Sequence, residues 1–142
     1  MENNQIKIKE VKNEDILFLY DLLLKRDPKV NISHRIMPSL EEHKKFVNSK
    51  PYKKWNIIYL DNQKIGSYYL SKNNEIGITI LPKFQKKKIG TKILEIMFRE
   101  NGNLRYLANV SPINSESQKF FIKNGFKLIQ YTYEFDLRNV KK

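Results

Sequence analysis

The chain has 142 residues, 40% of them hydrophobic, which suits a single domain over residues 1–142. The absence of cysteine excludes disulfides, thiolate metal sites and cysteine nucleophiles, and two histidines argue against a histidine-built metal site. The formal net charge of +12 favours anionic partners such as a phosphorylated cofactor, an acidic substrate or nucleic acid. No apolar run reaches membrane-spanning length and no signal-peptide pattern begins the chain, so we predict a cytoplasmic protein without membrane contact.

The first half of the chain predicts a strand, two helices and a run of three strands. Residues 5–11 alternate polar and apolar side chains, as a half-buried strand does. A helix capped by Asn13 runs as far as Asp27, and a capping box at Ser39 begins a second helix over residues 40–48. A hairpin turn and three strands follow, at residues 61–64 and at 55–60, 65–70 and 75–81.

The second half predicts two helices, each followed by strand. One helix runs from Lys88 to Glu100, and a strand occupies residues 104–110. A second capping box at Ser115 begins a helix that stops at Asn124-Gly125, and residues 126–137 form one or two strands. The order β-α-α-β-β-β-α-β-α-β predicts an α/β fold with a mixed, mostly antiparallel sheet and helices on both faces.

Residues 76–94 predict an anion site. A β-branched run ends at Pro82, a turn with three consecutive lysines (86–88) follows, and Gly90 lies at the start of a helix. The first amides of a helix have no partner within it, and the helix dipole is positive there. The lysines add charge at the same place, so we predict that this turn binds phosphate groups.

The stretch Gln85-Lys-Lys-Lys-Ile-Gly90, between a strand and a helix, resembles the Gln/Arg-x-x-Gly-x-Gly/Ala signature of the GNAT superfamily. Its members move an acetyl group from acetyl-CoA to an amine. Residues 114–126 resemble a second family segment, Asn-x-x-x-x-x-(Phe/Tyr)-(Tyr/Phe)-x-x-x-Gly-Phe, and the order of elements agrees over nearly the whole chain. Lys88 replaces the first signature glycine, a change that fits if residue 88 has ordinary helical geometry. Phe121 stands where many members carry a tyrosine that protonates the departing thiolate.

The resemblance implies acetyl-CoA as the cofactor, with CoA as product, and assigns residues to it. The backbone of Ile78, Thr79 and Ile80 would pair with the pantetheine arm as an added strand does. The diphosphate would be held by the signature and the helix start, which comprise Gln85, Lys86, Lys87, Lys88, Ile89, Gly90 and Thr91. Asn114 and Phe121 complete the predicted cofactor site.

Direct acetyl transfer requires a base for the amine and a proton for the departing thiolate. Glu75 lies at the start of the strand that would carry the acetyl group, where some family members have a catalytic glutamate, and we predict it as the base. Its alternative role is that of a solvated carboxylate at the end of a turn. Asn109 would orient water or substrate, or only satisfy strand ends. Tyr131 is the predicted proton donor, although most tyrosines in strands are packing residues.

The acceptor is predicted from the segment between the first two helices, which lines the substrate site in the superfamily. His34 and Arg35 are therefore predicted substrate contacts, with an ordinary surface role as the alternative. His43-Lys-Lys-Phe46 resembles members that acetylate nucleotide-linked sugars, so the predicted acceptor is a small primary amine such as an amino sugar or a sugar nucleotide. The alternatives are a protein or peptide amine, a CoA-binding domain without catalysis, and a basic nucleic-acid binder, although no nucleic-acid motif is present. Both a monomer and a homodimer are compatible with the sequence.

Overall fold

The chain forms one five-stranded sheet with helices on both faces, in a computed structural model that describes residues 5–26, 37–85, 88–102 and 105–139. The strands are β1 (Ile6–Glu10), β2 (Lys54–Leu60), β3 (Gln63–Leu70), β4 (Glu75–Ile80) and β5 (Leu107–Ala108). The helices are α1 (Ile16–Leu24), α2 (Leu40–Asn48), α3 (Ile89–Asn101) and α4 (Ser115–Lys123). No helix in these ranges has the length and apolar character needed to cross a bilayer.

The strands lie in chain order, β1-β2-β3-β4-β5, and this confirms the predicted mixed sheet. Neighbours from β1 to β4 are antiparallel, whereas β4 and β5 are parallel. The β2–β3 hairpin turn is tighter than the predicted 61–64, because only Asp61 and Asn62 separate the strands. Their φ angles of 49° and 69° are those of a type I′ turn, whose twist matches that of the strands.

Alternating side chains of the sheet divide the core into two layers. Ile58 lies on the face that packs against α3 and α4, and Ile57, its neighbour, lies on the face that packs against α1 and α2. The first layer is closed by buried residues of α3, namely Ile89, Ile93, Leu94 and Met97. The second is closed by Ile16, Leu19 and Leu22 of α1 and Val47 of α2.

The helix starts confirm one predicted cap and correct two. At α2, Ser39 Oγ accepts from the Glu42 amide at 3.1 Å and Glu42 Oε1 accepts from the Ser39 amide at 2.9 Å, as predicted. The Asn13 cap was wrong: Asn13 begins a 3-10 turn that precedes α1, and Asp15 Oδ2 accepts from the Lys12 amide instead. The Ser115 cap was also wrong, because Asn114 Oδ1 accepts from the Ser117 amide at 3.2 Å and caps α4.

The strand predictions near the C-terminus were wrong in extent. Strand β5 covers only two residues, Leu107–Ala108, instead of the predicted 104–110. Residues 126–136 form no strand, and the side chains from Lys127 to Phe135 are all exposed. An alternating pattern predicts that a segment can form a strand, but the strand itself requires a partner for its backbone.

Candidate functional site

A groove of about 890 Å³ lies between the end of β4, the start of α3 and the side of α4. It brings together every predicted cofactor residue that the structure describes: Ile78, Thr79, Ile80, Gln85, Lys88, Ile89, Gly90, Thr91, Asn114 and Phe121. These residues come from three separate parts of the chain, so the fold assembles the set. Lys86 and Lys87, also predicted, lie outside the described residues.

The lining of the groove is strongly cationic. Five basic side chains contribute to it, from Lys25, Arg26, Lys88, Lys119 and Lys123, and Glu116 is the single acid among the described lining residues. Lys83, close to the groove in sequence, has its Nζ 5.4 Å from the ring centre of Phe84. This balance of charge favours a ligand with several phosphate groups.

Lys88 caps α3 in a left-handed conformation, with φ 62° and ψ 14°. The expectation of ordinary helical geometry at residue 88 was therefore wrong. Lysine has a side chain that makes this conformation costly, whereas glycine adopts it freely. Residue 88 thus has the backbone geometry that suits the glycine of the family signature, and the amides of the first turn of α3 have no acceptor within the helix.

Gly90 allows α3 and α4 to approach closely beside the groove. A Cβ atom at this position would lie 2.8 Å from Cε1 of Phe120. Phe120 in turn packs edge to face against Phe121, with ring centres 5.1 Å apart. A glycine at residue 90 therefore serves the packing of the two helices and leaves open space where the groove meets the start of α3.

The edge of β4 is open along the groove. Strand β5 pairs only with Glu75 and Ile76, so residues 77–80 have no strand partner on that side within the described chain. Gln85 Nε2 donates to the Ile80 oxygen at 2.8 Å and ties the turn after β4 to the strand. An extended ligand with amide groups, such as a pantetheine arm, can pair with an edge of this kind.

Glu75 and Asn109 are in contact at the point where β4 and β5 pair. Asn109 Nδ2 donates to Glu75 Oε2 at 2.6 Å, and Ser71 Oγ lies 3.5 Å from Glu75 Oε1. The Glu75 amide also donates to Ser71 Oγ, at 3.0 Å, which holds the start of the strand. Glu75 is half-buried and Asn109 is exposed, so the pair is open to solvent while the carboxylate is held in one orientation.

Sequence analysis missed an aromatic and arginine cluster that comprises Tyr52, Tyr69 and Arg26. Tyr69 lies opposite Gly77 in the β3–β4 register, and a Cβ at residue 77 would overlap its ring. Tyr52 stacks on Tyr69, with ring centres 3.9 Å apart. Gly77 is two residues after Glu75, so both residues lie on the same face of β4. A glycine beside the predicted base leaves room for a large side chain of the neighbouring strand, and this signal could have pointed to the cluster.

Burial shifts the pKa of all three groups in this cluster. It raises the pKa of both tyrosine hydroxyls above the usual value and lowers the pKa of the Arg26 guanidinium. Within the described chain no carboxylate pairs with Arg26, although Arg26 lines the groove. A half-buried guanidinium of this kind favours an anionic ligand.

The structure does not bring the predicted proton donor to the groove. The side chain of Tyr131 is 74% exposed and does not line the groove. Phe121 does line it, but its ring has no proton to give, and no tyrosine is found among the lining residues of the described chain. The predicted substrate contacts His34 and Arg35 lie outside the described residues.

An open strand edge and a helix start whose first amides lack acceptors lie along one cationic groove, the arrangement expected of a transferase that takes its acyl group from a CoA thioester. The family model of the acetyltransferase (GNAT) domain matches residues 5–127. The chain therefore belongs to the GNAT acetyltransferase family, and the predictions of an acyltransferase and of acetyl-CoA as its cofactor are confirmed. Among curated protein sequences none matches the chain.

Solved structures show the same fold. A domain from Methanocaldococcus jannaschii is 26% identical, with a TM-score of 0.79 over 93% of this chain and 94% of that one. RimL, a ribosomal L7/L12 alpha-N-protein acetyltransferase solved with CoA, is 19% identical, with a TM-score of 0.71 over 88% and 81%. The aminoglycoside N-acetyltransferase AAC(6')-Iy, also solved with CoA, is 17% identical, with a TM-score of 0.70 over 96% and 97%. These similarities confirm the predicted GNAT fold.

Proposed function

We propose that the protein transfers the acetyl group of acetyl-CoA to a primary amine on a small molecule that also carries a negative charge, such as an amino sugar or a sugar nucleotide. The observation that carries this proposal is the position of the Glu75–Asn109 pair on β4, just before the open strand edge that lines the groove. The open edge of β4 begins directly after the residues that pair with β5, and Glu75 lies three residues before Ile78. At roughly 3.3 Å per residue, the carboxylate is about 10 Å along the strand from the pantetheine edge.

The cofactor is held by backbone and charge. The amides of Ile89, Gly90 and Thr91 bind the diphosphate, and the lysines that line the groove neutralise it. Asn114 uses its side-chain oxygen to cap α4, so its Nδ2–H groups are the donors it offers to a ligand. Bound in this way, acetyl-CoA supplies an activated thioester whose carbonyl carbon accepts the amine.

Glu75 takes a proton from the acceptor ammonium, directly or through one water, because an amine attacks only as the free base. The 2.6 Å hydrogen bond from Asn109 holds Oε2, whereas the hydrogen bond from the Ser71 hydroxyl to Oε1 is long at 3.5 Å, so Oε1 is the more basic oxygen. The new N–C bond forms as the C–S bond breaks, the attacking nitrogen releases its second proton to water, and CoA leaves as a thiolate. Because Phe121 has no proton, we infer that water protonates the thiolate.

The Arg26 cluster supports an anionic acceptor. Its guanidinium can bind a carboxylate or a phosphate in bidentate geometry. The net charge of +12 repels cationic acceptors such as polyamines and aminoglycosides. Two similar structures are named for peptide and aminoglycoside acceptors, so both classes belong in any test.

A screen for release of the CoA thiol across amino sugars, sugar nucleotides, peptide amines, polyamines and aminoglycosides tests the proposal. We expect turnover with an amine that carries a carboxylate or phosphate. Arg26→Gln should raise KM for that amine by roughly tenfold or more, since a charged hydrogen bond is lost, and should raise KM for acetyl-CoA by a smaller factor, because Arg26 is one of five basic residues in the groove. Lys44→Gln is the matched control, because Lys44 lies on α2 outside the groove lining and pairs with Glu41 at 3.6 Å. Preference for a neutral or cationic amine would overturn the proposed acceptor.

A further inference from the structure

The groove ends along β4 at the point where Tyr69 covers Gly77. Within the described chain the lining residues of β4 begin at Ile78, and residues 75–77 are not among them. Gly77 lies opposite Tyr69 in the β3–β4 register, and a Cβ at residue 77 would lie only 2.7 Å from the Tyr69 hydroxyl oxygen. The tyrosine ring therefore lies against the β4 backbone next to the last groove residue of the strand.

Two further elements enclose the same point. Ile76 is 3% exposed and packs in the core layer closed by α3, on the face of β4 opposite to Gly77. Strand β5 pairs with β4 at Glu75 and Ile76, directly beyond the open part of the edge. The space beside Gly77 is thus bounded by the core on one face of the sheet, by β5 at the end and by Tyr69 on the other face.

The ring of Tyr69 is held in place by three more aromatic rings. Tyr52 stacks on it, with ring centres 3.9 Å apart and an angle of 10° between the planes. Trp55 packs edge to face on Tyr52 at 4.8 Å. Phe46 packs edge to face on both Tyr52 and Trp55, at 5.9 Å in each case. Aromatic pairs in these arrangements gain stability beyond the area that they bury, so displacing Tyr69 is costly.

The direction of the cofactor determines which of its parts reaches Gly77. The start of α3 follows the C-terminal end of β4 in the chain. A cofactor whose diphosphate binds at this helix start therefore runs back along the strand edge, from Ile80 toward Gly77. Residues 77–80 span roughly 10 Å, at about 3.3 Å per residue. The acyl end of the thioester then lies beside Gly77, close to Glu75 on the same face of β4.

We propose that Tyr69 limits the length of the acyl group, so that an acetyl group fits beside Gly77 and a longer chain meets the tyrosine ring. The position of the acyl group depends on the proposed binding of the diphosphate at the start of α3. A butyryl or hexanoyl chain must either displace Tyr69 from its stack on Tyr52 or extend into solvent. In both cases the added methylene groups gain no buried contact and do not strengthen binding.

Calorimetric titration with CoA, acetyl-CoA, butyryl-CoA and hexanoyl-CoA measures this limit without an acceptor amine. We expect the wild type to bind both longer thioesters no more tightly than acetyl-CoA. Tyr69→Ala removes the ring, and its affinity for butyryl-CoA relative to acetyl-CoA should rise by roughly tenfold, because each buried methylene strengthens binding by about fourfold. Tyr69→Phe keeps the ring and should keep the wild-type ratio of the two affinities.

Tyr59→Ala is the matched control for the loss of a large side chain. Tyr59 is a half-buried tyrosine on the same face of the sheet, in β2, and is not a groove residue, so this variant should keep the wild-type ratio. Thermal unfolding checks that each variant is folded, and Tyr69→Leu replaces Tyr69→Ala if the alanine variant is not. An unchanged ratio in the folded variant, or a wild type that binds butyryl-CoA more tightly than acetyl-CoA, would overturn the proposal.

Gly90→Asp separates this proposal from the placement of the diphosphate. It should weaken the binding of CoA and of all three thioesters by the same factor, since the carboxylate repels the diphosphate that they share. If Gly90→Asp weakens all four ligands and Tyr69→Ala leaves the ratio unchanged, the diphosphate site stands and the acyl limit alone is wrong. If Gly90→Asp binds all four as the wild type does, the diphosphate lies elsewhere, and the acyl position beside Gly77 is wrong with it.

Discussion

Asn109 donates a hydrogen bond to Glu75 at 2.6 Å, although 34 positions separate the two residues in the sequence. The contact exists because β4 and β5 are parallel neighbours, with Glu75 opposite Leu107 in the register. The Asn109 amide holds one carboxylate oxygen, and the Ser71 hydroxyl lies 3.5 Å from the other. A general base whose orientation is fixed by the side chain of a second residue is a recurring feature of acid–base sites.

Glu75→Gln should lower kcat by roughly 10²-fold or more, because general bases contribute about that much and glutamine cannot take a proton. Its shape is preserved, so the dissociation constant of acetyl-CoA should stay nearly the same. Steady-state kinetics and calorimetric titration of acetyl-CoA separate the two effects. Glu95→Gln, an exposed acid on α3, is the matched control and should retain wild-type kcat. Full turnover by Glu75→Gln would assign the base to water or to another residue.

The elements that sequence analysis predicted correctly are those with local causes. The capping box at Ser39 joins atoms of residues only three positions apart, so its pattern predicts the start of α2 without reference to the rest of the fold. The Gln85–Gly90 signature likewise lies in one turn and one helix start. By contrast, the overlap of a Cβ at residue 77 with Tyr69 depends on the register between two strands, which no local pattern defines.

Lys88→Gly should raise the free energy of unfolding by about 1 kcal/mol. A left-handed residue that is not glycine costs roughly 1–2 kcal/mol, and the greater freedom of glycine in the unfolded chain offsets part of the gain. Denaturant titration measures the change. Lys88→Ala removes the same charge but keeps the unfavourable φ of 62°, so it should gain no stability. Equal stability of the glycine and alanine variants would contradict the strained geometry.

The same two variants test the role of the lysine in the groove. Both remove one positive charge from the lining, so both should weaken acetyl-CoA binding by a similar factor. The loss should diminish at high salt, because screening reduces the contribution of an exposed charge. Unchanged affinity in both variants would show that the phosphates bind elsewhere in the groove.

Gly90→Ala and Gly90→Asp together separate packing from charge at the start of α3. Both introduce a Cβ that lies 2.8 Å from the Phe120 ring, so both should destabilise the fold by roughly 1–3 kcal/mol. The positive end of the helix dipole stabilises the aspartate carboxylate, so the Gly90→Asp variant should be no less stable than the Gly90→Ala variant. It also repels a diphosphate, and acetyl-CoA should bind more weakly to Gly90→Asp than to Gly90→Ala. Equal affinity of the two variants for acetyl-CoA would show that the diphosphate does not bind at this helix start.

The C-terminal segment shows where prediction from one chain reaches its limit. Its sequence predicts one or two strands over residues 126–137, yet residues 126–136 form no strand. A helix satisfies its backbone within itself, whereas a strand depends on a partner that the sequence does not specify. Strand β5 is short for the same reason, because it has only one neighbour and only two of its residues pair with β4.

The raised pKa of Tyr68 leads to a prediction of how the stability of the protein changes at alkaline pH. Its side chain is 1% exposed, and burial, followed by the charge of Glu100, raises its pKa to about 12 from 10.0. The folded protein therefore keeps the phenol proton when the unfolded chain has already lost it. Stability from this group is complete below pH 10 and falls between pH 10 and 12, by about 1.4 kcal/mol per pH unit.

Tyr68→Phe removes the titrating group and keeps the ring, so its unfolding free energy should fall less steeply than that of the wild type across this range. Urea unfolding at a series of pH values measures both slopes, and the titration of lysines cancels in the difference because both proteins share them. Tyr133→Phe, at a side chain that is 90% exposed, should follow the wild-type slope. Parallel curves for the wild type and Tyr68→Phe would mean that the phenol of residue 68 ionises as readily in the folded protein as in the unfolded chain.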